Sequence, residues 1–151
     1  MKAPGKDKMP TQGVTPEAIL HRGCELLDAP LLAHGFHLAP IVAGTGSGGR
    51  FAACKYIRGD RCLEMHYRYS LGLVTYHVGQ TSLDHEGYMR VLDVRDKCAY
   101  PDFPKEPLDS FRGLVRDLES YCSVFLSGTD DQFRALVERA KKQKRGLAEV
   151  P

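Results

Sequence analysis

The sequence predicts an α+β fold, in which a four-stranded antiparallel meander sheet carries an N-terminal helix and C-terminal helices packed on one face. Apolar residues recur at helical spacing in residues 15–35 and again in residues 107–140. Between them, residues 36–79 change to the alternating pattern that is typical of strands. The strand segments are separated only by short turns, so neighbouring strands pair antiparallel, and the helices segregate to the two ends of the chain.

Length and composition indicate one globular unit. The chain has 151 residues, which is long enough for a core that needs neither metal nor disulfides. Its hydrophobic residues (42%) and charged residues (26%) are at ordinary globular levels. We expect a disordered tail over residues 1–14, a single α+β domain over 15–145 and a C-terminal tail over 146–151.

The cysteines and the N-terminal segment indicate the cellular compartment of the protein. Five cysteines are widely spaced without a C-x-x-C pair, which argues against a zinc module and against a disulfide framework. The segment "MKAPGKDKMPTQG" lacks the apolar stretch of a signal peptide, and no later run reaches the roughly 20 apolar residues of a membrane span. We expect a reduced, cytoplasmic protein with no cofactor. Three cysteines fall on predicted core faces: Cys24, Cys54 and Cys122.

The first helix is predicted from its start signals. Thr15 suits the N-cap and Pro16 the first helical position. The segment "DAP" at residues 28–30 predicts a kink or a restart before Gly35 ends the helix. The apolar stripe of this helix comprises Leu20, Cys24, Leu27 and Leu31.

Four segments are predicted as strands: "FHLAPIV", "RFAACKYIR", "RCLEMHYRY" and "GLVTYHVG". Gly59-Asp60 is a two-residue hairpin signal, which places Lys55 opposite Glu64 and Ala53 opposite His66. A second tight turn is predicted at Leu71-Gly72. That turn places His66 opposite His77 and Arg68 opposite Thr75.

Three helices are predicted after the sheet. The first starts near "SLDHEGYMRVLDV", with Ser82 or Thr81 as its cap, and its "DHE" is interpreted as a solvated helix start. The second begins at Pro107 and ends near Gly128. The third is capped by Asp130 and ends in "KKQKR".

The segment "GTGSGG" fits G-x-G-x-x-G, the spacing of dinucleotide-binding loops. Such a loop needs a helix directly after the glycines, whose N-terminus binds the pyrophosphate. Here "RFAACKYIR" follows, and it alternates like a strand. We therefore expect a flexible hairpin loop whose glycines permit positive φ. The functional alternative is a mobile loop that closes over something on the sheet.

The strand alternation predicts one apolar face, with Leu63, Met65, Tyr67 and Tyr69 on it, and one polar face. If the helices cover the apolar face, the polar face is free to bind a partner. Phe51 and Ile57 lie among the polar residues. The predicted binding residues are Lys55, Glu64, His66, Arg68, Thr75 and His77, with Gly46 and Gly48 of the loop.

Two other functions are weighed. His66, His77 and Glu64 are a two-histidine, one-carboxylate set of the kind that binds zinc or non-haem iron, as in a small metal-dependent enzyme. The basic run at residues 141–145 resembles a phosphate contact, but a basic last turn also complements the helix dipole. A net charge of +2 is too small to imply a nucleic-acid partner by itself, and without further basic clusters or a recognition motif we expect none.

The layout of "LEMHYRYSLGLVTY", "LDHEGYMRVL" and "PLDSFRGLVRDLESYCSVFLSGTDDQF" resembles small, uncharacterised bacterial α+β proteins. Some families of this type are immunity proteins. The resemblance spans about residues 15–140 and carries no site residues. It implies a non-catalytic protein that neutralises a toxin by binding it.

Overall fold

The computed structural model describes residues 15–100 and 106–149, so the predicted tail over residues 1–14 lies outside them. Within these residues the chain forms five helices and six strands. The helices are α1 (Pro16–Leu32), α2 (His85–Val91), α3 (Asp109–Tyr121), α4 (Ser123–Ser127) and α5 (Asp130–Glu149). The strands are β1 (His37–Leu38), β2 (Val42–Gly46), β3 (Gly49–Arg58), β4 (Arg61–Tyr67), β5 (Leu71–Val78) and β6 (Thr81–Asp84).

The strands form a single antiparallel sheet. Strands β3, β4, β5 and β6 are neighbours in chain order, which is the predicted meander. Both β1 and β2 pair with β3 at its outer edge. The sheet has six strands where four were predicted. One added strand arises because the predicted first strand is split at Pro40 into β1 and β2, and β2 extends to Gly46. The other is β6, which replaces the predicted start of a helix.

The core lies between one face of the sheet and the helices. Buried residues alternate along β4 and β5, as the period-2 pattern predicts for a sheet with one covered face. Leucines of α1, phenylalanines of α3 to α5 and tyrosines of the sheet share this core. The three predicted core cysteines are buried, as expected: Cys24, Cys54 and Cys122.

The first helix starts as predicted and ends earlier. The Thr15 side chain accepts a hydrogen bond from the Ala18 amide at 3.1 Å, and Pro16 is the first helical residue. A kink or a restart was predicted at residues 28–30, and the restart is wrong, because α1 continues through Pro30 to Leu32. Pro30 is buried in the last turn, where its missing N–H removes one hydrogen bond near the end of the helix.

The first hairpin has the predicted register. Lys55 lies opposite Glu64 and Ala53 opposite His66. Gly59 has a φ of +58°, the left-handed conformation that the first residue of this turn requires. The even-numbered residues of β4 therefore lie on the face that the helices leave free.

The second predicted turn is wrong. The chain turns at residues 68–70, and Leu71 begins β5 as a buried residue. A turn centred on Leu71 would have exposed this leucine. Tyr69, which was expected on the apolar face, is instead 82% exposed.

The predicted register of β4 and β5 is also wrong. His77 lies opposite Cys62 and Thr75 opposite Glu64, so the predicted pairs of His66 with His77 and of Arg68 with Thr75 do not form. A bulge interrupts the pairing between Met65 and Tyr67. Up to this bulge the register differs from the predicted one by four residues, an even number, so the paired side chains of residues 61–65 and 74–78 stay on their expected faces.

The C-terminal helices differ from their predictions at the ends. Helix α2 begins at His85 and is capped by Asp84, which accepts from the Gly87 amide at 2.8 Å, rather than by Ser82 or Thr81. The predicted helix from Pro107 is divided at Cys122 into α3 and α4. Helix α5 continues to Glu149.

The cap of α5 is Thr129 rather than the predicted Asp130. Its hydroxyl accepts from the Gln132 amide at 3.1 Å, and the Gln132 side chain accepts from the Thr129 amide at 2.8 Å. This reciprocal pair is a capping box. It leaves the Asp130 carboxylate to bind Arg61 of β4, whose guanidinium also donates to three carbonyls at the end of α4.

Candidate functional site: the open face of the sheet

We call the face of the sheet turned away from the helices the open face. None of its residues belongs to the core, and no element of residues 15–100 and 106–149 packs on it. The described part of the connection after α2 ends on the covered side of the sheet, because Tyr100 is buried in the core and donates to the carbonyl of Leu71. Along β3, β4 and β5 the open face comprises Phe51, Ala53, Lys55, Ile57, Cys62, Glu64, His66, Leu73, Thr75 and His77.

A carboxylate bridged by two imidazoles lies at the centre of the open face. The His77 Nε2 atom is 2.9 Å from one oxygen of Glu64, and the His66 Nε2 atom is 3.2 Å from the other. Each ring nitrogen donates to its oxygen. Burial opposes ionisation of Glu64, but the hydrogen bonds from His77 and His66 outweigh it and lower the pKa of this carboxyl below its usual value.

This arrangement differs from the predicted metal set. His66 and His77 do not lie opposite each other, and the Glu64 carboxylate occupies the space between their Nε2 atoms. In the part of the chain that the structure describes, no three His, Cys, Asp or Glu side chains are grouped as metal ligands would be. The three residues instead form a hydrogen-bonded clasp across β4 and β5.

Arg68 lies at one corner of the open face, against the glycine-rich hairpin of β2 and β3. Its guanidinium carbon is 5.7 Å from the centre of the Phe51 ring. The guanidinium also contacts Gly48, and a Cβ atom on this glycine would collide with it. A Cβ on Gly46 would lie in ordinary contact, 3.6 Å from Arg68 Nη2. The glycines thus make room for an arginine.

The hairpin prediction for "GTGSGG" is confirmed, and the segment that follows it is a strand. Gly46 lies opposite Gly49, so Ser47 and Gly48 form the turn. The Tyr69 hydroxyl donates to the Gly48 carbonyl at 2.8 Å. This bond ties the tip of the hairpin to the connection between β4 and β5.

A cavity of about 370 Å³ lies at this corner. Its walls are aromatic and cationic, and its floor is the turn between β4 and β5. Its lining residues are Phe51, His66, Tyr67, Arg68, Tyr69, Ser70 and Gly72. Two of the predicted binding residues, His66 and Arg68, therefore line a cavity.

The remaining predicted binding residues surround the clasp. Lys55 is exposed and lies opposite Glu64 on β3, and Thr75 lies opposite Glu64 on β5. Two large apolar side chains stand at the rim of this face, Leu73 at 57% and Val42 at 62% exposure. The structure therefore brings six predicted side chains together on one face, with Gly46 and Gly48 at its corner.

A buried polar chain in the core was not predicted. His85 was expected in a solvated helix start, yet it is 2% exposed. Its Nε2 donates to Asp117 at 2.9 Å, so its Nδ1 accepts from the Tyr76 hydroxyl at 2.7 Å. The Cys122 thiol donates to the same hydroxyl at 3.6 Å, and burial raises the pKa of this thiol to about 12.

This buried series of hydrogen-bonded side chains is inaccessible to a substrate. Tyr76 is fully buried, which raises the pKa of its hydroxyl well above the usual value and keeps it a donor. Asp117 also accepts from the amides of Ala99 and Tyr100, at 2.6 and 2.8 Å. Through these bonds Asp117 of α3 holds the segment after α2 in place. The sequence did carry a signal for the burial of His85, because this residue lies at helical spacing from Tyr88 and Met89, which are buried.

Comparison of the chain with protein-family models, with curated proteins and with solved structures finds no match. In residues 15–100 and 106–149, none of the helices combines the length and the apolar character needed to cross a membrane. The residues of the basic run at 141–145 are exposed along α5, and Lys141 lies 3.6 Å from Glu138.

Proposed function

We propose that the chain is a non-catalytic protein-binding module of the bacterial cytoplasm, which neutralises a toxin in the manner of an immunity protein and binds it through the open face. The observation that carries this proposal is the clasp of His66, Glu64 and His77, which lies outside the core on a face that no described element covers.

An ordered polar surface favours protein recognition over a merely solvated sheet. Side chains already held by one another lose little rotamer freedom when a partner binds, so more of the contact energy appears as affinity. Here Glu64 accepts hydrogen bonds from both His66 and His77, and Arg68 packs against Phe51 and against Gly48. Arginine and tyrosine are also enriched among the residues that dominate interfaces.

The rim of the open face supports the same proposal. Val42, Tyr69 and Leu73 are large apolar or aromatic side chains with more than half of their surface exposed. They surround the polar centre of the open face. A partner that covers the clasp would remove these side chains from water, which contributes roughly 25 cal/mol for each Å² of apolar surface buried.

The experiment is affinity capture from a lysate of the native host, with three forms of the chain compared by mass spectrometry. The open-face variant combines Glu64→Ala, His66→Ala and His77→Ala. The control variant combines Arg112→Ala, Arg116→Ala and Glu119→Ala, which are exposed positions on α3 at the opposite side of the molecule. Circular dichroism and thermal unfolding first establish that both variants fold.

The proposal expects a protein that wild type and the α3 variant capture and that the open-face variant loses. The purified protein should then bind the chain directly in calorimetry, with the same dependence on the open face. Capture that the open-face variant retains in full would overturn the assignment of the surface. Capture by none of the three forms would overturn the binding function in that host.

A further inference from the structure

We propose that the cavity at Arg68 binds a carboxylate of the protein partner, together with an apolar or aromatic group beside that carboxylate. The inference rests on the proposed function, because it names the chemistry of the partner at one corner of the open face. An aspartate, a glutamate or a chain-terminal carboxylate next to a large apolar side chain satisfies it.

The guanidinium of Arg68 is fixed in place before any ligand arrives. The centre of the Phe51 ring lies 5.7 Å from its carbon, and the hairpin backbone at Gly48 also contacts it. The hydrogen bond from Tyr69 to the Gly48 carbonyl holds that backbone to the turn from which Arg68 extends. A fixed guanidinium offers its donors in the planar fork that suits a carboxylate.

The charge of Arg68 is not compensated within the described chain. In residues 15–100 and 106–149, no carboxylate lies within ion-pair distance of this guanidinium and no acceptor is hydrogen-bonded to it. The nearest acidic group of the face, Glu64, is engaged by His66 and His77. Lys55 is a second cation on the same face with no ion pair among these residues. The guanidinium is therefore free, among the described residues, to bind an anionic group of the partner.

The walls of the cavity select the rest of the ligand. Phe51, Tyr67 and Tyr69 line it together with Arg68 and His66, and its volume of about 370 Å³ accommodates one large side chain. A multiply charged phosphate would require several cationic or amide donors. One guanidinium among aromatic rings fits a single carboxylate with an apolar neighbour better.

The glycines of the hairpin give the inference a structural control. A methyl group at Gly48 collides with the end of the Arg68 side chain and with no backbone atom, so it displaces the guanidinium and leaves the fold intact. A methyl group at Gly46 is in ordinary contact with Arg68. The inference therefore orders the two alanine variants, with Gly48→Ala weakening carboxylate binding more than Gly46→Ala.

The test uses small probes and needs no identified partner. The wild-type chain, labelled with ¹⁵N, is titrated with N-acetylphenylalanine, which carries a carboxylate and an aromatic ring. The matched neutral probe is N-acetylphenylalaninamide, and inorganic phosphate is the third probe. We expect saturable amide shifts in residues 46–51 and 66–72 with the carboxylate, and at least tenfold weaker binding of the neutral amide.

The variants locate the interaction. Arg68→Gln should abolish saturation by the carboxylate, and Gly48→Ala should weaken it severalfold. Ser47→Ala, in the same turn, should bind as the wild type does. Equal binding of the carboxylate and its amide, equal binding by Arg68→Gln, or tighter binding of phosphate would overturn the inference. Spectra of the free variants establish that each one folds.

The outcome separates the two proposals. If the open-face variant with its three alanine substitutions loses a captured partner while N-acetylphenylalanine does not bind wild type, the binding function stands and the carboxylate inference fails. If the carboxylate binds at Arg68 but no host protein depends on the open face, the inference stands as a ligand site and the proposed function fails.

Discussion

Asp117 shows how much a single buried carboxylate can organise. It is 1% exposed and accepts from His85 and from the amides of Ala99 and Tyr100. Asp117→Asn keeps the shape but turns one acceptor oxygen into a donor that faces another donor. We expect the free energy of unfolding to fall by about 2–4 kcal/mol, since the buried donor loses its partner.

Urea unfolding of the purified variant measures that loss, and the exposed Asp131 offers a matched control. Its ion pair with Arg134 lies at the surface, so Asp131→Asn should change the free energy of unfolding by less than about 1 kcal/mol. Similar changes for the two variants would contradict the role assigned to the buried chain.

Glu64 predicts a pH dependence with a definite sign. Its pKa is lowered in the folded state, so its ionised form is favoured by folding, and this stabilisation is present above the pKa of the unfolded chain. It is lost as the pH falls through the lowered folded pKa. Because the clasp is partly exposed, we expect Glu64→Gln to cost less than about 1 kcal/mol at neutral pH.

The measurement is a series of chemical unfolding curves for wild type and Glu64→Gln from neutral pH downward. The difference in the free energy of unfolding between wild type and Glu64→Gln should shrink as the pH falls. It should vanish once Glu64 is protonated in both the folded and the unfolded state. A difference that stays constant or grows toward acid pH would show that the carboxylate charge is not what stabilises the clasp.

At the scale of elements, the sequence predicts faces better than registers. Alternation in β4 and β5 assigned each side chain to its side of the sheet, because a slip of one residue exchanges the faces. A slip of an even number preserves the pattern, so alternation did not distinguish the observed register from the predicted one. The deciding contacts are tertiary: Leu71 enters the core, and Tyr69 binds the hairpin at Gly48.

The same distinction explains the other differences. The N-cap at Thr15 and the hairpin turn at Gly59-Asp60 were predictable, because each depends only on residues that are neighbours in sequence. The burial of His85 was not, because it depends on Asp117, 32 residues away. The residues of the open face could be predicted from the sequence. The clasp, and the contacts of Arg68 with Phe51 and Gly48, could not, because they depend on the observed strand register and on tertiary contacts.

The contact between α1 and α3 offers a prediction in which two effects oppose each other. Gly23 is buried in α1, and a Cβ atom there would overlap the ring of Phe111. Helix propensity favours Gly23→Ala by about 1 kcal/mol. Overpacking of a full core costs about 1–3 kcal/mol. We expect the overlap to dominate, so that Gly23→Ala lowers the stability.

A double-mutant cycle with Phe111→Leu measures the coupling. The smaller side chain makes room for the methyl group, so Gly23→Ala should cost less in the Phe111→Leu background than in wild type. If Gly23→Ala stabilises the wild-type chain, or if its cost is unchanged by Phe111→Leu, the close packing of these two helices is wrong.

At the scale of the whole molecule, the sheet divides the chain into a packed side and an open side. The helices and the apolar face of β3 to β5 form a single core, and the buried polar groups of that side are paired with one another. The open side carries the clasp, the Arg68 cavity and the exposed rim. An antiparallel sheet tolerates water on one face, so the fold leaves this surface available for recognition.

Histidine labelling tests the central claim, that a protein partner covers the open face, most directly. Diethyl pyrocarbonate modifies accessible imidazoles, and mass spectrometry reads each site. His66 and His77 lie on the open face with 42% and 35% of their side chains exposed, His21 lies on α1 across the molecule, and His85 is buried. In the complex with the captured partner, labelling of His66 and His77 should fall severalfold while that of His21 stays unchanged. Protection of His21 with unchanged labelling of His66 and His77 would contradict the claim.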